Sequence, residues 1–189
     1  MRVLTPLAIA VLALLVERPM HPYEMYQLLL SRHQDQLVKV RPGSLYHTVE
    51  RLADDELVEP TETGREGNRP ERTTYAVTAA GRTALHERIS EVIRQPLNEY
   101  PAFPAALAET HNLSRDDVVA HLSAYVADLH DLISTSDTLL AGAAEQQVPE
   151  AYSLAGDYLR AVRRAELDWI ATLITRLQNE ELPWPSQRA

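Results

Sequence analysis

The chain has 189 residues, 45% of them hydrophobic, which is enough apolar material for one or two ordinary packed cores. Cysteine is absent, so disulfides and thiolate metal ligands are excluded, and the composition fits a reducing cytoplasm. The formal net charge of −9 disfavours a uniformly basic nucleic-acid surface. The acidity is uneven, because residues 1–95 hold 12 basic and 13 acidic side chains whereas residues 96–189 hold 6 and 14.

The first predicted element is a helix over residues 5–17. The segment from Leu4 to Val16 is almost wholly apolar, which also occurs in the core of a secretory signal peptide. No small-residue cleavage site follows it, and it is shorter than the roughly 20 residues of a membrane span. Thr5 and Pro6 instead suit the N-cap and first turn of a helix. We therefore favour a helix buried on every side.

Two further helices are predicted over residues 22–33 and 43–56, where prolines and glycines punctuate the sequence. The third helix has an apolar face with the spacing i, i+4, i+7, made of Leu45, Val49 and Leu52. A separate polar stripe on the same helix is made of Ser44, His47, Thr48 and Arg51. The third helix thus combines a packing face with a face that is free to meet a partner.

A β-hairpin and a fourth helix are predicted next. The strands cover residues 58–63 and 72–77, and Pro60 indicates that the first strand is an edge or is irregular there. Thr78 is suited to cap the following helix. The apolar stripe of that helix is made of Leu85, Ile89, Val92 and Ile93.

The second half of the chain is predicted to be two long helices. Three prolines between residues 95 and 104 mark the boundary between a domain over residues 1–95 and a domain over residues 96–189. Ser114 and Asp117 then match a capping box. The helix that begins there carries a heptad seam of Val118, Leu122, Tyr125, Leu129, Leu132, Ser136 and Leu139.

A last helix of about 28 residues is predicted from Glu150 onward. Its broad apolar surface is made of Leu159, Val162, Trp169, Ile170, Leu173, Ile174 and Leu177. Two amphipathic helices have little core of their own, although the heptad seam also suits packing within one subunit. We expect a homodimer held through Leu122, Leu129, Leu159, Val162, Trp169 and Leu173.

Three stretches of the sequence form a recognisable set. The first is Gly43-Ser44-Leu45-Tyr46, followed by VERL at residues 49–52 and ELV at residues 56–58; the second is RTTYAVTAAG at residues 72–81; the third is RAELDW at residues 164–169. Together they resemble the PadR family of transcriptional regulators. MarR-like winged-helix proteins share the order of the N-terminal elements, and the third stretch favours PadR. Position 56 departs from the family pattern, which often has glycine there, and the hairpin tip is less basic than usual.

The resemblance implies a mainly α fold with a small β-hairpin wing, in which a winged helix-turn-helix domain precedes a C-terminal helical dimerisation domain. It also implies a DNA-binding transcriptional regulator in the cytoplasm. The expected activity is repression by a homodimer that binds an inverted-repeat operator and is released by a small aromatic or phenolic effector. A MarR-like ligand-responsive regulator is the alternative.

The resemblance and the chemistry of the side chains indicate the same DNA-binding surface. The N-terminal part of a recognition helix meets base edges in the major groove, so the candidates for base contacts are Arg41, Ser44, His47 and Thr48. Tyr46 and Arg51 are placed for phosphate contacts. The wing would contribute Arg65, Arg69 and Arg72. The competing interpretations are a core role for Tyr46 and a surface ion pair between Arg51 and Asp54 or Asp55.

The effector hypothesis rests on aromatic residues of the C-terminal half. A cavity between the helices would be lined by Tyr125, Tyr152, Tyr158 and Trp169, with Arg163 or its neighbours Arg160 and Arg164 binding a carboxylate. Ordinary core packing is the alternative for each aromatic residue. An enzyme and a helical interaction protein are the rival classes of function. Asp117 with His121 and His130 with Asp131 match no catalytic or metal-binding motif, so we expect no catalytic residues, metal or cofactor.

Overall fold

The structure, a computed structural model, describes residues 3–64, 72–96 and 99–185. The chain divides into two compact units, Met1–Asn98 and Glu99–Ala189. The first contains helices α1 (Pro6–Glu17), α2 (Pro22–Ser31), α3 (Pro42–Asp54) and α4 (Ala79–Arg94), with strands β1 (Val58–Gly64) and β2 (Arg72–Val77). The second contains α5 (Ala102–Ala108), α6 (Arg115–Glu145) and α7 (Leu154–Gln178). The mainly helical fold with a small β-hairpin confirms the predicted fold class.

Helix α1 forms the centre of the first unit. Thr5 caps it by accepting a hydrogen bond from the backbone N–H of Ala8 at 3.3 Å, as its position before Pro6 predicts. The prediction that α1 is buried on every side is wrong, because Ala13, Val16 and Glu17 are exposed. Its buried residues lie on one broad face: Leu7, Ala8, Val11, Leu12, Leu14 and Leu15. Within the described residues, no helix is long and apolar enough to cross a membrane.

The end of α3 sets the direction of the chain into the wing. The backbone N–H of Leu57 donates to the carbonyl of Leu52 at 2.9 Å, and that of Glu56 donates to the carbonyl of Ala53 at 3.0 Å. This pair of hydrogen bonds is the Schellman motif, which requires a left-handed residue just beyond the cap. Glu56 takes that role with φ 58°. The structure thus explains why glycine suits position 56, where this chain has glutamate.

Strands β1 and β2 form an antiparallel hairpin in which Val58 pairs with Val77. The register shifts between Pro60 and Glu62, which confirms the irregularity predicted from the proline. Met20 extends the sheet by exchanging two backbone hydrogen bonds of 3.0 Å with Tyr75. The segment between α1 and α2 therefore anchors the base of the wing.

Thr78 and Gly81 lock the start of α4 against the end of α3. The Thr78 hydroxyl accepts from the N–H of Gly81 at 3.0 Å and lies 2.9 Å and 3.1 Å from the carbonyl oxygens of Glu56 and Leu57. A Cβ on Gly81 would lie far inside van der Waals contact with the Leu57 carbonyl oxygen. The glycine of the sequence TAAG is therefore required by packing, because a side chain at position 81 would collide with the Leu57 carbonyl oxygen. The predicted α4 stripe is buried only at Leu85, because Ile89, Val92 and Ile93 are exposed.

The second unit is built on the antiparallel packing of α6 and α7. Ser114 caps α6 by accepting from the N–H of Asp117 at 3.1 Å, which confirms the predicted N-cap. The buried α6 residues are Val118, Leu122, Leu129, Ile133 and Ser136. Leu132 was predicted in this seam but is 42% exposed, so Ile133 takes its place. The last helix begins at Leu154 rather than Glu150, because Glu150–Tyr152 forms a separate 3₁₀ turn.

Two segments that the periodicity did not predict complete the core of the second unit. Phe103 on α5 stacks on Tyr125 with ring centroids 4.6 Å apart. The chain after α7 returns to the core, where Trp184 donates its indole N–H to the Leu113 carbonyl at 3.0 Å. Both Phe103 and Trp184 pack against the buried residues of α6 and α7.

Candidate functional site

The N-terminal half of α3 exposes a polar surface. Arg41, Ser44 and His47 are exposed, whereas Leu45, Val49 and Leu52 on the opposite face lie in the core, as predicted. Thr48 requires a correction, because it is only 7% exposed and its hydroxyl donates to the Ser44 carbonyl at 2.8 Å. It back-bonds to its own helix and is not part of the exposed surface.

Tyr46 joins this surface to the start of α2. Its ring meets that of His21 edge-on, with centroids 6.2 Å apart. His21 is the N-cap of α2 and accepts from the N–H of Tyr23 at 3.1 Å. Tyr46 is 40% exposed, so the interpretation as a core aromatic is wrong. The contact brings the positive end of the α2 dipole beside the exposed face of α3.

Arg51 extends the surface toward the start of α1. Its guanidinium donates to the Thr5 hydroxyl at 3.4 Å. Within the part of the chain that the structure describes, it forms no ion pair with Asp54 or Asp55, so the predicted surface pair is not present. A half-buried guanidinium without a carboxylate partner can still bind an anion.

Acidic partners neutralise other cations of this unit. Arg32 donates to both carboxylate oxygens of Glu17 at 2.6 Å and 2.9 Å, and Arg18 pairs with Glu24. Hydrogen bonds from these guanidinium groups lower the pKa of the Glu17 and Glu24 carboxyls. Arg41 has no such partner among the described residues. Arg41 therefore offers a positive charge to an anionic ligand at the N-terminus of α3.

His47 has a carboxylate neighbour that the sequence analysis did not single out. Its Nδ1 lies 3.3 Å from Oε2 of Glu50, one turn further along α3. The side chains of His47 and Glu50 are 88% and 65% exposed, so both project from the helix into solvent. The i, i+3 spacing is the signal that predicts such a pair.

The structure describes only one of the three arginines predicted to bind DNA from the wing. Arg65 and Arg69 lie outside the described residues. Arg72 pairs with Gly64 through the β1–β2 ladder. The two strands therefore hold the ends of the wing loop, while the contacts of its arginines remain predictions.

A comparison with protein families supports the resemblance of the first unit. Residues 11–87 match the model described as "Transcriptional regulator PadR-like family". Over these residues the chain is similar to the PadR-like family. The match includes α2, α3 and both strands, so it covers the whole exposed face described above. The members of this family are transcriptional regulators rather than enzymes.

Solved structures share the PadR-like fold over nearly the whole chain. Bacillus subtilis PadR in complex with operator DNA is 17% identical, with a TM-score of 0.72, and the alignment covers 92% of this chain and 99% of that chain. The same protein in complex with p-coumaric acid is 16% identical, with a TM-score of 0.70 and coverages of 94% and 99%. The Vibrio cholerae virulence activator AphA is 19% identical, with a TM-score of 0.72 and coverages of 92% and 99%. No curated protein sequence matches this chain.

The predicted dimerisation residues fall into two groups. Leu122 and Leu129 are 5% and 4% exposed within a single chain, so they belong to the core of their own unit and need correction as interface residues. Val162 and Trp169 are 44% and 52% exposed. The remaining pair, Leu159 and Leu173, is half-buried. The amphipathic pattern did not separate these groups, because α7 carries apolar residues both on its buried side, at Ile170, and on its exposed side, at Trp169.

The predicted effector residues do not share one cavity wall within the second unit. Tyr125 is half-buried and donates its hydroxyl to Glu166 at 3.1 Å, and burial followed by this carboxylate raises its pKa. Tyr152, Tyr158 and Trp169 are 82%, 67% and 52% exposed instead. Arg163 donates to the buried Ser136 hydroxyl at 2.9 Å. Arg160 and Arg164, by contrast, both pair with Asp137.

Proposed function

We propose that this PadR-like chain is an operator-binding repressor that places the N-terminal half of α3 in the major groove. The observation that carries the proposal is the exposure of Arg41, Ser44 and His47 on one face of α3, inside the region that matches the family model. The core residues on the opposite face fix the helix in position. A rigid helix with an exposed polar N-terminal half is what base recognition requires.

The side chains of this face suit complementary parts of DNA. Arg41 has the geometry for a bidentate contact with guanine O6 and N7, and Ser44 can donate to or accept from a base edge. The Tyr46 hydroxyl and the Arg51 guanidinium flank this centre and would bind phosphates. The wing would add Arg65, Arg69 and Arg72 at the backbone or minor groove. Thr48 has no part in the interface, because it is buried.

A homodimer is the second part of the proposal, and the outer face of α7 supports it. An exposed apolar row follows this helix at helical spacing: Leu154, Tyr158, Val162 and Trp169. These residues are 59%, 67%, 44% and 52% exposed in one chain. Such a continuous row is typical of a surface that a partner covers. A second copy related by two-fold symmetry would bury the same row on both chains.

Effector control is the third part of the proposal. Bacillus subtilis PadR has been solved in complex with operator DNA and in complex with p-coumaric acid. For this chain we propose an aromatic carboxylic acid that releases the operator in the cytoplasm. Tyr158 and Trp169 would supply its aromatic wall once a second copy covers α7, and Arg163 would bind its carboxylate. Repression requires only that the dimer occupy the operator, whereas activation requires a further contact with polymerase.

Selection of random double-stranded DNA by the purified full-length chain tests the proposal. We expect an inverted repeat with half-sites about one helical turn, or a multiple of it, apart. Sedimentation of the complex should show two chains for each operator, and binding should weaken steeply with salt. Enrichment of no sequence, or of an asymmetric site that binds one chain, would contradict it. Titration with phenolic acids then tests the effector separately.

A further inference from the structure

The contact between His47 and Glu50 bears on which imidazole nitrogen carries the proton. Nδ1 of His47 lies 3.3 Å from Oε2 of Glu50. An ionised carboxylate has no hydrogen to donate, so the contact is favourable only if Nδ1 carries the proton. In a neutral imidazole the other nitrogen, Nε2, then presents a lone pair. Nothing in the described part of the chain bonds to Nε2, which lies on a side chain that is 88% exposed.

We propose that Glu50 is a positioning residue that makes His47 a hydrogen-bond acceptor in the major groove. His47 would then read a base that offers a donor there, which is the N4 amino group of cytosine or the N6 amino group of adenine. This inference rests on the proposed DNA-binding function and adds the class of base that His47 recognises. Histidine alone does not define that class, because its two neutral tautomers present opposite groups at Nε2.

The same arrangement disfavours bases that offer acceptors. Guanine presents O6 and N7, and thymine presents O4, so either base would place two lone pairs face to face with Nε2. The carboxylate of Glu50 carries a negative charge on the same surface and adds to this preference, because it too can only accept. A single hydrogen bond of this kind gives discrimination of up to roughly tenfold between donor and acceptor bases.

The tautomer of His47 can be measured in the free protein by long-range proton–nitrogen NMR correlation. At about pH 8, where an ordinary imidazole is neutral, we expect the Nδ1–H form for His47 in the parent chain. Its signals are assigned by their loss in His47→Gln. In Glu50→Ala the Nδ1–H form should give way to the Nε2–H form. Glu87→Ala is the matched control, because it removes an exposed carboxylate from α4 and should leave the tautomer unchanged.

The base preference is measured on the operator that the parent chain selects. The base pair read by His47 is the one at which His47→Ala loses discrimination, and this pair is then replaced by each of the other three. The parent should favour cytosine or adenine facing His47, and Glu50→Ala should reduce that preference by about threefold or more. Glu87→Ala should keep it. The ratio between operators is the readout, since removal of any carboxylate strengthens binding to all DNA.

Two results would overturn the inference while leaving the proposed function intact. One is an Nε2–H tautomer of His47 in a parent chain that still selects an operator. The other is a Glu50→Ala chain that keeps the parent preference at the base pair read by His47, or a parent that prefers guanine or thymine there. A parent chain that selects no DNA sequence would overturn both the inference and the proposed function.

Discussion

The two units of this chain bury their apolar helices to different extents. In the first unit, α1 packs against α2, α3, α4 and β2, and seventeen buried hydrophobic residues form one cluster within the described residues. In the second unit, two helices of 31 and 25 residues share a cluster of only five. The first core covers most of α1 and leaves Ile89, Val92 and Ile93 exposed at the far end of α4, whereas the second leaves a longer row along α7 exposed: Leu154, Tyr158, Val162 and Trp169.

This difference indicates that the first unit serves DNA recognition and the second serves association. The core of the first unit holds the buried face of α3 in place, which recognition of base edges requires. A helix pair with an exposed apolar row gains further stability only by association. The predictions that follow test whether stability of the first unit and association through the second are separable properties.

The largest effect is expected from the core of the first unit. Leu45→Ala should lower the free energy of unfolding by about 2 to 5 kcal/mol, because the side chain is fully buried and its loss leaves a cavity. Urea denaturation measures it. Ile93→Ala, at a position that is 80% exposed in the same unit, is the control and should change stability by less than about 0.5 kcal/mol. Equal effects would mean that α3 is not held by this core.

Association should be most sensitive to Trp169. Trp169→Ala should raise the dimer dissociation constant at least tenfold, about 1.4 kcal/mol or more, because exposed aromatic residues are frequent anchors of interfaces. Sedimentation equilibrium measures it. The neighbouring Ile170 is fully buried, so Ile170→Ala should instead lower the stability of the unit itself. A Trp169→Ala chain that dimerises like the parent would remove α7 from the proposed interface.

Replacing a glycine by alanine should change the stability of the two units in opposite directions. Gly81→Ala should destabilise the first unit by about 1 to 3 kcal/mol, because the new Cβ would collide with the Leu57 carbonyl. Gly142 on α6 has open space around its Cα. Gly142→Ala should therefore stabilise the chain by about 0.5 to 1 kcal/mol. Thermal melts of both variants decide the matter, and a tolerated alanine at position 81 would contradict the close approach of α4 to Leu57.

DNA binding should distinguish base recognition from backbone contact. Arg41→Ala should cost about 1 to 3 kcal/mol on the selected operator and little on random DNA. Arg69→Ala and Arg72→Ala, on the wing, should weaken binding to both DNAs almost equally and lower the salt slope by about one for each phosphate that the variant no longer neutralises. Fluorescence anisotropy at several salt concentrations tests this. An Arg41→Ala chain that discriminates like the parent would move the recognition surface elsewhere.

The smallest effect concerns the turn between α3 and the wing. Glu56→Gly should stabilise the first unit by up to about 1 kcal/mol, because glycine adopts the left-handed conformation of position 56 without steric cost. Chemical denaturation of the variant beside the parent measures the gain. Asp55→Gly is the control and should give no gain, since residue 55 is not left-handed. A loss of stability in Glu56→Gly would show that the glutamate side chain itself supports the turn.

Much of the local structure of both units could be predicted from the sequence. Thr5, Thr78 and Ser114 cap helices where their positions indicated, and the proline in β1 marks an irregular strand. These features depend on interactions within a few residues, such as a hydroxyl that accepts a nearby backbone N–H. The family match over residues 11–87 supports the first two of the three stretches that carried the resemblance, at residues 43–58 and 72–81.

What only the tertiary structure decided is which of several suitable faces is buried. The polar stripe of α3 included Thr48 by spacing, yet its hydroxyl turns back to Ser44 and its side chain joins the protected side. On α6 and α7, apolar residues occupy more than one face, so periodicity alone could not assign Leu122 and Leu129 to the internal core and Trp169 to the exposed row. The physical reason is that hydrophobicity fixes the need for burial but not the neighbour that provides it, which depends on contacts between distant parts of the chain.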